Sequence, residues 1–178
     1  ELVDSTLQHI KKFHQIAPFR LTNQNGKIIT QRDYQDKIYV ADFFFTTCPT
    51  ICPKMTENMA LIQARILDDS QVKLLAFSVT TQIDSVAQLK RYAVEKEVND
   101  QKLNLVTGDK KEIYTLARKS FLAVKEDGDG GPFDMIHTEN FILVDPEKRI
   151  RGFYDGTDIK AMEELLQDIT TLKQEYPN

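Results

Sequence analysis

Val40-Ala41-Asp42-Phe43-Phe44-Phe45-Thr46-Thr47-Cys48-Pro49-Thr50-Ile51-Cys52-Pro53 is the stretch that decides how this chain is read. Its first six residues belong to an apolar run over 37–45, rich in β-branched and aromatic side chains, which reads as a buried strand. Beyond it, Met55, Met59, Ile62 and Ile66 recur at three- and four-residue spacing, the pattern of an amphipathic helix over 52–67. Cys48 and Cys52, the two cysteines of the chain, therefore fall at a strand-to-helix junction. A helix N-terminus favours thiolate over thiol, and Pro53 suits a first helical turn, where a missing N–H costs nothing. If the helix begins near Thr50, residues four apart lie one turn apart on one face, so both sulfurs can meet one ion or each other.

A structural role is the competing reading. A disulfide closing so short a loop stabilises little, and buried inert cysteines rarely stand between prolines at such a junction. The pair points to redox or metal chemistry.

Working outward, residues 19–22 and 27–30 read as a hairpin turned at Asn25-Gly26. Strands follow at 72–79 and 103–106. Between them Asp84 is the expected N-cap of a helix to Lys96, and Asp109 opens a helix through Lys119. A Gly- and Asp-rich loop at 125–132 leads to strands at 138–144 and 149–154, joined by a turn at Asp145-Pro146. Asp158 then caps a last amphipathic helix. Alternating strands and helices imply parallel pairing and the closing hairpin implies antiparallel pairing. The expected fold is α/β: a thioredoxin-like three-layer sandwich with a mixed sheet and an N-terminal β-hairpin extension. One domain is expected over residues 1–178, with 1–17 as a loosely attached arm. Ligands of open α/β sheets lie beyond the carboxyl ends of parallel strands, where Cys48 falls.

Hydrophobic residues make up 41% and charged residues 28% of the 178, the composition of an ordinary globular protein. A net charge of −4, with Lys and Arg scattered among carboxylates, argues against nucleic acid as a partner. No apolar stretch approaches the roughly 20 residues that span a bilayer. The chain begins at Glu1 rather than Met, which leaves room for a removed signal, anchor or tag, and a membrane-anchored parent protein is the expectation.

Of three histidines, His9 and His14 fall in the N-terminal arm on different helix faces. His137 precedes an apolar strand, where an imidazole can supply a third ligand to a dithiolate, or simply pack. Met55 and Met59 read as core residues. Asp127-Gly128-Asp129-Gly130-Gly131 fails as an EF-hand, with Pro132 at the glycine position and Thr138 where the bidentate Glu belongs. It reads as a flexible loop able to let His137 swing. A peroxidatic motif needs Thr three residues before Cys48 and Pro seven before, but Phe45 and Ala41 stand there.

Taken together, the stretch Phe43 to Met55 with its Cys48-x-x-x-Cys52-Pro53 core, and His137-Thr138-Glu139-Asn140-Phe141 with Leu143-Val144-Asp145-Pro146 far downstream, resembles the Sco/SenC family. The resemblance runs from about Pro18 to the C-terminal helix. It implies a copper chaperone of cytochrome c oxidase assembly, with Cys48, Cys52 and His137 as ligands of Cu(I) or Cu(II) and delivery to the binuclear copper A site. The implied partner is oxidase subunit II or another copper chaperone, the implied state a monomer. The implied place is the periplasmic face of a bacterial inner membrane. The resemblance equally permits a thiol-disulfide oxidoreductase, with Cys48 attacking and Cys52 resolving, that keeps the oxidase cysteines reduced. Soft thiolates suit Cu(I) and a sulfur–imidazole set suits Cu(II), whereas structural zinc wants a fourth strong ligand. Many members read Asp-Pro-x-x-Asp-Thr after the second core strand, but this chain reads Thr80-Thr81-Gln82-Ile83-Asp84-Ser85. Ile136 stands where many carry Asp before the histidine, leaving Asp134 as the acid expected to support the imidazole.

Overall fold

The computed structural model describes residues 14–49 and 51–177. His9 and most of the expected arm lie outside the described residues. At the described end of that segment Ile16 is buried, its N–H donates to the Lys148 carbonyl (2.8 Å), and the Ala17 N–H donates to Ser120 Oγ (2.7 Å).

Among the described residues seven strands form one sheet. They are β1 (Arg20–Asn23), β2 (Ile28–Thr30), β3 (Ile38–Phe44), β4 (Val72–Ser78), β5 (Leu103–Thr107), β6 (Asn140–Val144) and β7 (Ile150–Asp155), in the order β2-β1-β5-β4-β3-β6-β7. The sheet is mixed, as the alternation of elements implies. β3, β4 and β5 are parallel, whereas β6 runs antiparallel to β3 and β7 antiparallel to β6. The β1–β2 hairpin adds to the outer edge of β5 through antiparallel pairing of β1. Gly26 takes φ +75° in its turn, a conformation open to glycine without strain.

The helices are α1 (Ile51–Arg65), α2 (Val86–Glu95), α3 (Lys110–Thr115) and α4 (Ile159–Glu175). Every residue of β3 is buried because both sheet faces are covered. Its even-numbered side chains, Ile38, Val40 and Phe44, pack with Met55, Met59 and Ile62 of α1, Leu89 of α2 and Leu165 of α4. Its odd-numbered side chains, Tyr39, Ala41 and Phe43, face Phe77, Ile113 of α3 and Phe121. Phe43 and Phe77 stack at 4.8 Å, and Phe121 closes on Phe77 at 5.2 Å. Met55 and Met59 are thus core residues, as their helical spacing implies.

Two expectations are corrected. Asp84 does not cap α2: Ser85 does, its hydroxyl accepting from the Gln88 N–H (3.1 Å), while Asp84 is completely buried. The helix opened by Asp109 is α-helical only to Thr115, then widens into a π-helical turn over Leu116–Ser120. That widening lets Leu116, Ala117 and Phe121 all reach the core.

Candidate functional site

β3 delivers the chain to the site. After Phe44, residues 45–48 turn back so that the Cys48 N–H donates to the Phe45 carbonyl (3.3 Å), and α1 begins at Ile51. Cys52 sits in the first helical turn, and its N–H donates to Cys48 Sγ (3.4 Å). The two thiols are adjacent and not joined by a disulfide. They are unequal: Cys48 is half-buried and Cys52 is buried. Burial pushes the Cys52 thiol up to about 12, helped by its hydrogen bond with Cys48, and the backbone contact with Phe45 offsets this only in part. At Cys52 the cost of burial therefore outweighs the favourable helix N-terminus.

His137 lies three residues ahead of β6 and is exposed, with its ring edge-on to Phe45 at 6.0 Å. Its neighbours hold the backbone: Ile136 is buried, and Thr138 Oγ1 donates to the Ala123 carbonyl (2.9 Å). Cys48, Cys52 and His137 line one largely apolar cleft of about 270 Å³, walled by Phe45, Pro49, Ile51 and Ile136. The structure brings the sulfurs together and sets the imidazole in the same cleft. Among the described residues, however, no three His, Cys, Asp or Glu side chains converge closely enough to hold an ion. His14 stands elsewhere, its Nε2 buried without a hydrogen-bond partner.

Asp134 does not support His137. Its carboxylate takes both terminal nitrogens of Arg118 (2.5 and 2.7 Å) and the Gly130 N–H (2.8 Å). The guanidinium holds it down at about 2, well below the usual carboxylate range. With Lys110 Nζ donating to the carbonyls of Gly131 (2.8 Å) and Asp134 (2.7 Å), this pair ties down the Gly- and Asp-rich loop expected to be flexible.

Two acidic residues at the site escape sequence reasoning in different ways. Asp42 is buried on β3, burial alone raises it to about 7, and its Oδ1 has no hydrogen-bond partner. It lines a cavity of about 30 Å³ with Thr56, Tyr92 and Lys96. The signal was a carboxylate inside an otherwise apolar run. Asp84 gives no such signal, because hydroxyl-rich turns are commonplace.

Residues 8–174 match the SCO1/SenC family model. The chain is 31% identical over 165 residues to the SCO1 protein homolog of Bacillus subtilis, covering 90% of this chain and 85% of that one. Among solved structures it resembles BsSco, described as a Sco-family cytochrome c oxidase assembly protein with a disulfide switch (TM-score 0.77, 29% identity, covering 90% of this chain and 94% of that one). It also resembles a SCO1/SenC family lipoprotein from Bacillus anthracis (0.78, 29%, 90% and 96%). A third likeness is to Arabidopsis thaliana ScoI with copper bound (0.69, 26%, 87% and 98%). With its thioredoxin-like sheet, its paired thiols at the head of α1 and a family match along nearly its whole length, this chain belongs to the SCO1/SenC family.

Proposed function

We propose that this protein binds one copper ion through Cys48, Cys52 and His137 and delivers it to the binuclear copper A site of cytochrome c oxidase, on subunit II, directly or through another copper chaperone. One observation carries the reading: two adjacent thiols and an imidazole line a single apolar cleft at the carboxyl end of a central parallel strand. Thiolates favour Cu(I), and adding an imidazole accommodates Cu(II). Three donors in an accessible cleft suit a carrier, since the ion must leave as well as arrive. A copper-bound relative and a relative described as an oxidase assembly protein support it. The lipoprotein relative supports a place on the outer face of a bacterial membrane. No helix among the described residues is long and apolar enough to cross one.

Titrating the reduced protein with Cu(II) tests this. One equivalent is expected to give an intense sulfur-to-copper charge-transfer band, lost in Cys48→Ser and in Cys52→Ser. His137→Ala is expected to weaken or shorten the life of the Cu(II) form. Unchanged affinity for Cu(I) and Cu(II) in His137→Ala overturns the chaperone reading.

A reductase reading is favoured by the unequal thiols. The accessible Cys48 thiolate attacks a partner disulfide and forms a mixed disulfide. The Cys52 sulfur, losing its proton, then attacks Cys48 Sγ, so the partner leaves with both thiols reduced and Cys48–Cys52 oxidised. That chemistry needs no imidazole, and His137→Ala separates the two readings.

A further inference from the structure

Asp84 has no part in either reading, yet it joins three segments at the site. Its Oδ2 accepts from the Thr46 N–H (3.3 Å), the Ser78 hydroxyl (2.7 Å) and the Thr80 hydroxyl (2.9 Å), and its Oδ1 accepts from the Thr46 hydroxyl. Gln88 of α2 donates to that same Thr46 hydroxyl (3.1 Å). Every one of these partners is a neutral hydroxyl or amide, a costly setting for a completely buried carboxyl group. Starting α2 does not need it, because Ser85 already caps that helix. Pairing β3 with β4 does not need it either: the ladder runs unbroken from Ile38–Val72 to Phe44–Ser78. What Asp84 supplies is a two-point grip on Thr46, through both its N–H and its hydroxyl, two residues ahead of Cys48 and from the turn that follows β4.

We propose that Asp84 is a positioning residue for Cys48, strapping the Thr46–Thr47 turn so that the Cys48 sulfur is held against the head of α1 and within reach of Cys52. This rests on the reading that Cys48 and Cys52 act as a pair. Two residues on, the Cys48 N–H donates to the Phe45 carbonyl (3.3 Å), so the strap at Thr46 sits inside the same turn. Releasing Thr46 widens the volume the Cys48 sulfur explores and lowers its effective concentration at Cys52. A hydrogen bond to a charged acceptor amounts to roughly a tenfold effect or more.

The experiment measures the equilibrium constant for forming the Cys48–Cys52 disulfide in glutathione buffers, together with the thermal midpoint. The proteins are the parent, Asp84→Asn, Thr46→Val and Thr80→Val. Asp84→Asn turns an amide donor toward a ring of donors, and the constant is expected to fall about tenfold, which is about 30 mV for this two-electron couple. Thr46→Val keeps the carboxylate and the backbone N–H bond to it but removes the hydroxyl that joins Thr46 to Asp84 and Gln88, and is expected to move the constant the same way by severalfold. Thr80→Val touches the same carboxylate from the other side and is expected to stay within twofold. Parental constants in both Asp84→Asn and Thr46→Val, whatever their thermal midpoints, overturn the proposal. So does a Thr80→Val shift as large as that of Thr46→Val, which marks general loosening. Should Asp84→Asn not fold, Thr46→Val decides alone. If the parent itself forms no disulfide, the dithiol reading falls and the proposal with it.

Discussion

Replacing Asp42 by Asn should stabilise the protein at alkaline pH and leave it nearly unchanged at acid pH. Asp42 is 4% exposed, its Oδ1 has no hydrogen-bond partner, and burial alone raises it from 3.8 to about 7. The sign follows from proton linkage. Between roughly pH 4 and pH 7 the folded chain holds a proton that the unfolded chain has released, so stability falls as pH rises through that window. Below it both states are protonated and no penalty exists; above it the penalty is complete. A rise of about three pH units at about 1.4 kcal/mol each sets a ceiling on the order of 4 kcal/mol, which relaxation around the ion reduces. Asn has the shape of the protonated acid and cannot ionise. Urea denaturation of the two proteins at pH 5 and pH 8, with both dithiols reduced, isolates the effect, because every other titrating group largely cancels in the difference. We expect a gain for Asp42→Asn of about 1–2 kcal/mol at pH 5, part-way through the window, growing to about 2–4 kcal/mol at pH 8. A gap that is the same at both pH values refutes the reasoning, since it means that Asp42 carries its charge without penalty or that Asn acts only through packing.

Alkylation of the reduced protein near pH 7.5 should label Cys48 well before Cys52, because burial holds the Cys52 thiol at about 12; peptide mass spectrometry showing equal rates contradicts this. Arg118→Met should destabilise by roughly 2–3 kcal/mol at neutral pH, since it strands Asp134 among the remaining donors of its loop. Asp134 is depressed to about 2, so its contribution is complete above about pH 4 and fades as pH falls toward 2; the difference between Arg118→Met and parent should shrink over that range. Limited proteolysis should also find a new site near the exposed Phe133, and an unchanged digest at neutral pH counts against the tether. Ser85→Ala should cost about 1 kcal/mol through loss of the α2 cap, with the Cys48–Cys52 disulfide equilibrium unmoved.

Periodicity is a property of local sequence, and the elements it governs were legible. The fully apolar β3, the three- and four-residue spacing of Met55, Met59, Ile62 and Ile66, and the caps Asp109 and Asp158 all stand where the residues place them. The junction that brings Cys48 to Cys52 was legible for the same reason, being one continuous stretch of chain. His137 was harder. Nothing local joins it to residues about ninety positions earlier, and only its place before β6, with β6 paired to β3, carries it to the cleft.

Partnerships between polar groups distant in sequence were not legible, because a carboxylate looks the same to its neighbours in the chain whether it caps a helix or holds a loop. Asp84 satisfies every local rule for an N-cap, yet Ser85, one residue on, caps as well and is better placed at the surface. The choice was decided by Thr46, thirty-eight positions earlier. Asp134 likewise stands three residues before His137 and still turns to Arg118, since a guanidinium offers a carboxylate two parallel charge-assisted hydrogen bonds. In both cases the carboxylate's partner is a residue distant in sequence rather than the near neighbour that local rules point to. The groups that hold Cys48 and the His137 segment in place are therefore set by which loops the sheet brings to its carboxyl edge. The thiols and the imidazole can be found by reading along the chain, but their supports can be found only by reading across it.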